Sequence, residues 1–207
     1  MTDPDNLHEI DLILASSSPR RHDLLSSIKL KFLVIPSSIK EEHVNGESPE
    51  DHVCRLAQEK ALAIAKEYPN KWVLGADTIV VIDGNILGKP QDQSDAERML
   101  DLLTSRNHTV YTGYALINLR APDQERVRWV RSEVYIRDMS KTEISGYVRT
   151  GEPMDKAGAY AIQGIGAGIV ERVSGSYTNV VGLPLCELTR DLKDLGIFDF
   201  LAERIIT

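Results

Sequence analysis

The sequence predicts an α/β (α+β) protein with a mixed, twisted sheet and flanking helices. Three observations carry that reading. Strand-like and helix-like segments alternate along the 207 residues. Asp83-Gly84 is a hairpin signal, which adds an antiparallel pair. Two long strand-like runs also follow one another with no helix between, so the sheet is mixed.

Each element has its own signature. Ile10 to Ala15 reads as a short, mostly buried strand. Ser16 to Ser18 form a polar turn, and Pro19 opens a helix that carries Arg20, Arg21, Leu24, Leu25 and Ile28. Lys31 to Ile35 is a second strand, and Pro36 to Ser48 is a polar loop holding Lys40, Glu41 and Glu42. Ser48-Pro49-Glu50-Asp51 combines a cap, a first-position proline and first-turn acids. The helix it starts runs through Val53, Leu56, Ala57, Lys60, Ala61 and Ile64 to about Tyr68. Trp72 to Ile82 is a strand, and Ile86-Leu87 returns after the hairpin turn. Ser94 with Glu97 and Ser140 with Glu143 are spaced as capping boxes for two later helices. Between them lie the strands Thr109–Leu119 and Arg126–Ile136, read as antiparallel. A glycine-rich stretch after Gly151 leads to a strand near Gly168–Val173. Leu183–Leu195 reads as a helix, followed by an apolar tail through Phe198, Phe200 and Ile205.

Composition narrows the function. The chain carries 24 Lys+Arg against 31 Asp+Glu, a net charge of −7, which argues against a nucleic-acid polymer or an anionic membrane as partner. At 42% hydrophobic it can bury a proper core. Cys54 and Cys186 make neither a disulfide framework nor a zinc signature. His8, His22, His43, His52 and His108 lack metal-ligand spacing. Met1 to Glu9 is polar and acidic rather than leader-like, and no apolar run reaches membrane-spanning length. The expectation is a soluble, cytoplasmic protein.

Several motif matches fail. Gly84 to Pro90 looks like a phosphate-binding loop, but it is one residue short and has proline where a magnesium-holding hydroxyl belongs. Gly164-Ile-Gly166-Ala-Gly168 is not a dinucleotide fingerprint. Ser16 to Ser18 near His22 lack a third partner for nucleophilic catalysis.

Four motifs survive. Leu14 to Arg21 places hydroxyls, a helix start and two guanidinium groups together, a combination suited to phosphate oxygens. Asp77 interrupts an apolar strand, so it needs a partner, a metal or a proton. Lys89 follows a stiff turn, Gly88-Lys89-Pro90. Gly151 to Gly164 collects Asp155, Lys156 and Gln163 among small residues, and the Gln163 amide suits a base edge. Each has a plainer reading: a capped surface helix, a structural aspartate, a surface lysine and a flexible connection. The helical spacing of Lys60 does not settle whether it is solvated or turned inward. Cys54 reads as core or half-buried helix, and Cys186 as packing.

In this order the motifs resemble the Maf family of nucleoside triphosphate pyrophosphatases. The matching pieces are Leu14-Ala-Ser-x-Ser-Pro-Arg-Arg21, Gly75-Ala-Asp-Thr78, Gly88-Lys-Pro90, Gly151-Glu-Pro-x-Asp-Lys-Ala-Gly-Ala-Tyr-x-Ile-Gln-Gly164 and Asn179-Val-Val-Gly-Leu-Pro-Leu185. The resemblance spans about residues 12–195 of a chain read as one domain, 1–207.

It implies two α/β lobes around a central cleft, as in inosine-triphosphate pyrophosphatases. The implied reaction hydrolyses a nucleoside triphosphate to monophosphate and pyrophosphate. A divalent cation (Mg²⁺ or Mn²⁺), a cytoplasmic location and a homodimer come with the same resemblance. Arg20-Arg21, intact Asp155-Lys156 and Gln163 are similar to the subgroup acting on dTTP and UTP. A sister subgroup hydrolyses 7-methyl-GTP, and a non-catalytic nucleotide-binding regulator of cell division is the reading from another class. The resemblance makes Asp77 the proton acceptor and Arg20, Thr78 and Gln163 the specificity positions. It adds Ser16, Arg21, Lys60, Lys89 and Lys156 for substrate, and Glu41 with Asp77 for the metal, Glu42 being the alternative to Glu41.

Overall fold

The computed structural model describes residues 11–42, 44 and 46–199. The readings placed on Met1 to Glu9, His8, Ile10, His43, Phe200 and Ile205 lie outside those residues.

The elements run β1 (Leu12–Leu14), α1 (Pro19–Ser27), β2 (Leu33–Val34), α2 (Pro49–Ala65), β3 (Trp72–Ile82), β4 (Asn85–Leu87), α3 (Gln93–Leu103), β5 (Asn107–Ile117), β6 (Arg126–Ile136), α4 (Lys141–Arg149), β7 (Val170–Ser174), α5 (Tyr177–Val181) and α6 (Leu185–Asp194). Short 3-10 turns occupy Glu152–Asp155, Ala157–Ala159 and Gly164–Gly168. The strands form a seven-stranded sheet in the order β2-β1-β3-β5-β6-β7, with β4 added to β3. β1 is parallel to β2 and β3, while β3–β4 and β6–β7 are antiparallel. The sheet is therefore mixed, as the sequence pattern predicts.

Two local readings are corrected. Ser94 does not cap α3. Asp92 is the N-cap, its side chain accepting the Asp95 N–H, and Ser94 lies within the first turn. A carboxylate two residues earlier supplies the same oxygen, so spacing alone misplaced the start. The segment after Gly182 is not helical from Leu183: Pro184 is the N-cap and α6 begins at Leu185. The Ser140/Glu143 capping box is present as expected.

The chain divides into two compact units. The first comprises Met1–Asp77, Gly113–Trp129 and Gly182–Thr207, and the second Thr78–Thr112 and Val130–Val181. In the first unit the buried face of α2 packs on β1, β3 and β5 through Ala57, Ala61, Ile64, Ile13, Val73 and Ala115. Much of that helix face is alanine, which brings its backbone close to the sheet. Gly75 on β3 makes the closest approach. A Cβ there would overlap the Ala57 carbonyl oxygen and crowd the Ala61 nitrogen. At the far end of the unit, Asp191 on α6 is 2% exposed and accepts from Tyr114 Oη (2.7 Å) and Arg128 Nε (2.7 Å). Burial and that carboxylate push the Tyr114 hydroxyl far above its ordinary pKa.

The second unit builds its own core from Leu100 and Leu103 of α3, Ile144 and Tyr147 of α4, Val134 and Ile136 of β6, and Tyr160. Fully burying side chains of this size contributes about 1.5–3 kcal/mol each. His108 is buried against Tyr160, Nε2 lying 2.7 Å from the hydroxyl, and burial pulls its pKa down to about 4.

Candidate active site

The first unit gathers a charged cluster. Asp77, in the middle of β3, is 6% exposed, and the interior supplies it with a partner. Lys60 Nζ donates to Asp77 Oδ1 at 2.7 Å. Lys60 lies on the buried face of α2 with Val53, Leu56, Ala57, Ala61 and Ile64. Gly75 lets β3 press against that helix near Ala57 and Ala61, two residues before Asp77. The same ammonium meets Glu41 Oε1 at 2.7 Å, so two carboxylates converge on one cation.

Glu41 belongs to a loop held from below. Arg55 on α2 donates Nε and Nη2 to the Glu47 carboxylate at 2.7 and 2.8 Å, and Nη2 also donates to the Glu42 carbonyl at 3.0 Å. His52 Nδ1 lies 3.0 Å from Glu47. The Arg55 guanidinium, with help from His52, draws the Glu47 carboxyl down to about pKa 2. Between the two adjacent acids, Glu41 is therefore the one whose carboxylate reaches Lys60, while Glu42 presents its backbone to Arg55.

Arg21 and Ser16 form a second element of this unit. Arg21 is buried, donating Nε to the Gly182 carbonyl at 2.9 Å and Nη1 to Ser16 Oγ at 3.2 Å. Ser16 Oγ also accepts the Ser18 N–H. Ser18 is the N-cap of α1, without a side-chain cap bond, and Pro19 takes the first helical position. Burial lowers the Arg21 pKa, Asp77 and Glu41 oppose that fall, and neighbouring Arg20 adds to it. Ser16, Arg20, Arg21, Glu41, Lys60 and Asp77 thus belong to one electrostatic neighbourhood.

The second unit holds Thr78, Lys89, Lys156 and Gln163. Thr78, half-buried, lies 2.9 Å from the Thr112 hydroxyl, which is also 2.9 Å from the Asn179 carbonyl oxygen. Lys89 is exposed on its turn. That turn is tied to the 151–164 loop, because the Gly158 N–H donates to the Gly88 carbonyl at 3.0 Å. Lys156 donates to the Glu152 carbonyl at 2.8 Å and pairs with Asp155. Gln163 is exposed just before the 164–168 turn.

Glu152 is the residue that sequence reasoning missed. Its carboxylate accepts from Tyr147 Oη (2.8 Å), Ile165 N (2.9 Å) and Gly166 N (2.8 Å). Those bonds outweigh the cost of its partial burial and lower its pKa. It thereby fixes the turn beside Gln163 and, through its own carbonyl, Lys156. Gly164 has φ +67°, and a Cβ there would collide with the Glu152 carboxylate. Thr112 was likewise not singled out, since nothing in its strand sequence marks it. Cys186, read as packing, is exposed, and Cys54 is half-buried.

The arrangement suits a multiply charged ligand. Glu41 and Asp77 converge on the Lys60 ammonium, and their carboxylate oxygens are the hard donor type that a small divalent ion takes. Among the described residues no group of three or more His, Cys, Asp or Glu side chains converges to hold a metal. Two carboxylates would leave the remaining positions to substrate and water. No helix among the described residues is long and apolar enough to cross a membrane.

Fold and charge cluster together define a class: a mixed-sheet α/β protein with a carboxylate–ammonium pair buried near an arginine. Within that class the chain belongs to the Maf-like protein family, whose model matches residues 11–195. A dTTP/UTP pyrophosphatase of Geobacter metallireducens is 52% identical over 185 residues, covering 89% of this chain and 96% of that protein. A dTTP/UTP pyrophosphatase of Syntrophus aciditrophicus is 49% identical over 193 residues, covering 93% and 94%. Among solved structures, the Staphylococcus aureus Ham1 protein aligns at TM-score 0.47 and 16% identity, over 77% of this chain and 79% of that one.

Proposed function

We propose that this protein is a nucleoside triphosphate pyrophosphatase acting on dTTP and UTP. The observation that carries the reading is the buried Asp77–Lys60 pair, joined by exposed Glu41 and electrostatically coupled to Arg21, in a chain about half identical to proteins bearing that name. Water attacks the α-phosphorus, the bond to the bridging oxygen of the β-phosphate breaks, and monophosphate and pyrophosphate leave. Asp77 accepts the proton of the attacking water, and Lys60 fixes the orientation of that carboxylate through Oδ1. Arg20, Arg21, Lys89 and Lys156 bind phosphate oxygens and balance charge on the leaving pyrophosphate. Ser16 holds Arg21 and offers a hydroxyl to the same anion. Thr78 and Gln163 read the base, with Arg20 as a further specificity residue.

Mg²⁺ or Mn²⁺ would be held by Glu41 and Asp77. The chemistry it would supply there is neutralisation of phosphate charge, which would make the phosphorus more susceptible to attack. The reading also carries a cytoplasmic setting and a homodimer, which fractionation and light scattering would test.

The deciding experiment is a panel of nucleoside triphosphates with Mg²⁺ or Mn²⁺, scored by pyrophosphate release. Turnover of dTTP and UTP is expected. Activity confined to 7-methyl-GTP would assign the chain to the sister subgroup. Binding with no turnover would leave a nucleotide-binding regulator.

A further inference from the structure

We propose that Tyr147 and Glu152 are positioning residues for the reaction: together they clasp the 152–166 loop, so that Lys156 and Gln163 meet one nucleotide in a fixed arrangement. This deepens the reading above and rests on it, since it takes Lys156 and Gln163 to be substrate contacts. Neither clasp residue has to touch substrate.

The clasp is one hydroxyl and one carboxylate. Tyr147, on α4, is 5% exposed and donates Oη to Glu152 Oε1 at 2.8 Å. The same hydroxyl accepts the Ala161 N–H at 3.1 Å. Glu152 Oε1 also accepts the Gly166 N–H at 2.8 Å, and Oε2 accepts the Ile165 N–H at 2.9 Å. At the other end of the loop, the Glu152 carbonyl accepts from Lys156 Nζ at 2.8 Å. One residue thus holds the loop where it leaves and where it returns, and Gln163 lies just before the return. Between those ends, the Gly158 N–H donates to the Gly88 carbonyl, next to Lys89.

The glycines of the 164–168 turn make room for these bonds. A Cβ on Gly164 would collide with the Glu152 carboxylate, and one on Gly166 would crowd the Tyr147 hydroxyl. Gly164-Ile-Gly166, which fails as a dinucleotide fingerprint, therefore has the spacing the clasp requires.

The consequence is preorganisation. Ordering a loop at the moment of binding costs affinity, and a misplaced contact costs rate. A loop closed before substrate arrives avoids the first and fixes the spacing between Lys156 and Gln163. Both contacts then depend on the same carboxylate and hydroxyl.

The test measures kcat/KM for UTP as pyrophosphate release, with thermal melts to verify folding. Tyr147→Phe removes only the hydroxyl. Glu152→Gln keeps the shape but turns one accepting oxygen into a donor. Each is made in wild type, in Lys156→Ala and in Gln163→Ala. In wild type each should lower kcat/KM at least about tenfold, in KM as well as kcat. In the two alanine backgrounds the same substitution should cost at least about threefold less, because fewer contacts remain to be placed. A purely structural role gives the same loss in every background, and that result overturns the inference. A folded clasp variant with the wild-type kcat/KM overturns it too. Hydrogen exchange gives a reading that needs no variant: the Ile165 and Gly166 amide protons of the wild type should be protected, and exchange at the rate of an unstructured loop overturns the clasp. Wild-type kcat/KM in both Lys156→Ala and Gln163→Ala overturns the reading of those residues as substrate contacts, and the inference with it. A wild type that releases pyrophosphate from no nucleotide overturns the enzymatic reading itself.

Discussion

Replacing Lys60 with methionine isolates the charge at the centre of the first unit, because methionine keeps an unbranched apolar stem and removes the ammonium. Lys60 Nζ sits 2.7 Å from Asp77, whose side chain is 8% exposed, and 2.7 Å from Glu41, whose side chain is 50% exposed. At an effective dielectric of about 20, unit charges at that separation attract by roughly 6 kcal/mol before any desolvation. Half-exposed Glu41 is screened, and its contact is worth about 1 kcal/mol or less. The larger effect is stranding Asp77 in the interior. Breaking a buried pair by deleting one partner costs about 3–5 kcal/mol. In a chain of this size each kcal/mol moves the melting temperature by about 2–4 °C, so Lys60→Met should melt roughly 10 °C lower. The assay is a set of thermal melts on wild type, Lys60→Met, Asp77→Asn and the double variant. The double variant should recover most of the loss, because the amide leaves no charge to strand, giving a coupling of at least about 2 kcal/mol. A Lys60→Met protein that melts within about 2 °C of wild type, or strictly additive changes, would refute a buried Lys60–Asp77 pair.

Three further outcomes are expected. Asp77→Asn should stay folded yet slow pyrophosphate release by about 10²-fold or more, the scale of a lost general base; near-wild-type turnover would remove Asp77 from that role. Lys89→Ala should lower kcat/KM at least about tenfold while shifting stability by less than about 0.5 kcal/mol, because the side chain is exposed; an unchanged kcat/KM returns it to an ordinary surface lysine. The Glu47 carboxyl falls from an ordinary 4.5 to about 2 on folding. Between those values the unfolded chain binds the extra proton, so this contribution is intact above pH 4.5 and is lost as pH falls toward 2. Acid melts should show that limb, and Arg55→Met should flatten it; an identical acid limb in the variant would argue against the Arg55–Glu47 brace.

Much of the fold is legible in the sequence because its signals are local. The alternation of patterns, the Asp83-Gly84 hairpin, the Ser48-Pro49 helix start and the Ser140/Glu143 box each depend on a few neighbouring residues. The start of α3 was misplaced because Asp92 and Ser94 carry equivalent capping oxygens, and only the backbone path selects between them. Ordered motifs likewise identify the family, and Asp77 announces itself as a carboxylate in an apolar strand.

The partners of those residues are another matter. Asp77 needs something, but a sequence cannot say whether that is a metal, a proton or Lys60, seventeen residues away on α2. Lys60 has the spacing of the helix's buried face, yet a lysine at such a position can equally snorkel to solvent. Glu41 and Glu42 are adjacent and chemically alike, and the Arg55–Glu47 brace separates their roles. Glu152 and Thr112 form their bonds with residues far along the chain, so no short pattern reveals them. Composition and local periodicity by themselves determined the class, the chemistry available and the order of the elements except α5, which no local signal marked. Tertiary structure alone decided which charges meet and which polar groups pair, because those bonds exist only when distant segments are buried against one another and every polar group must find a partner.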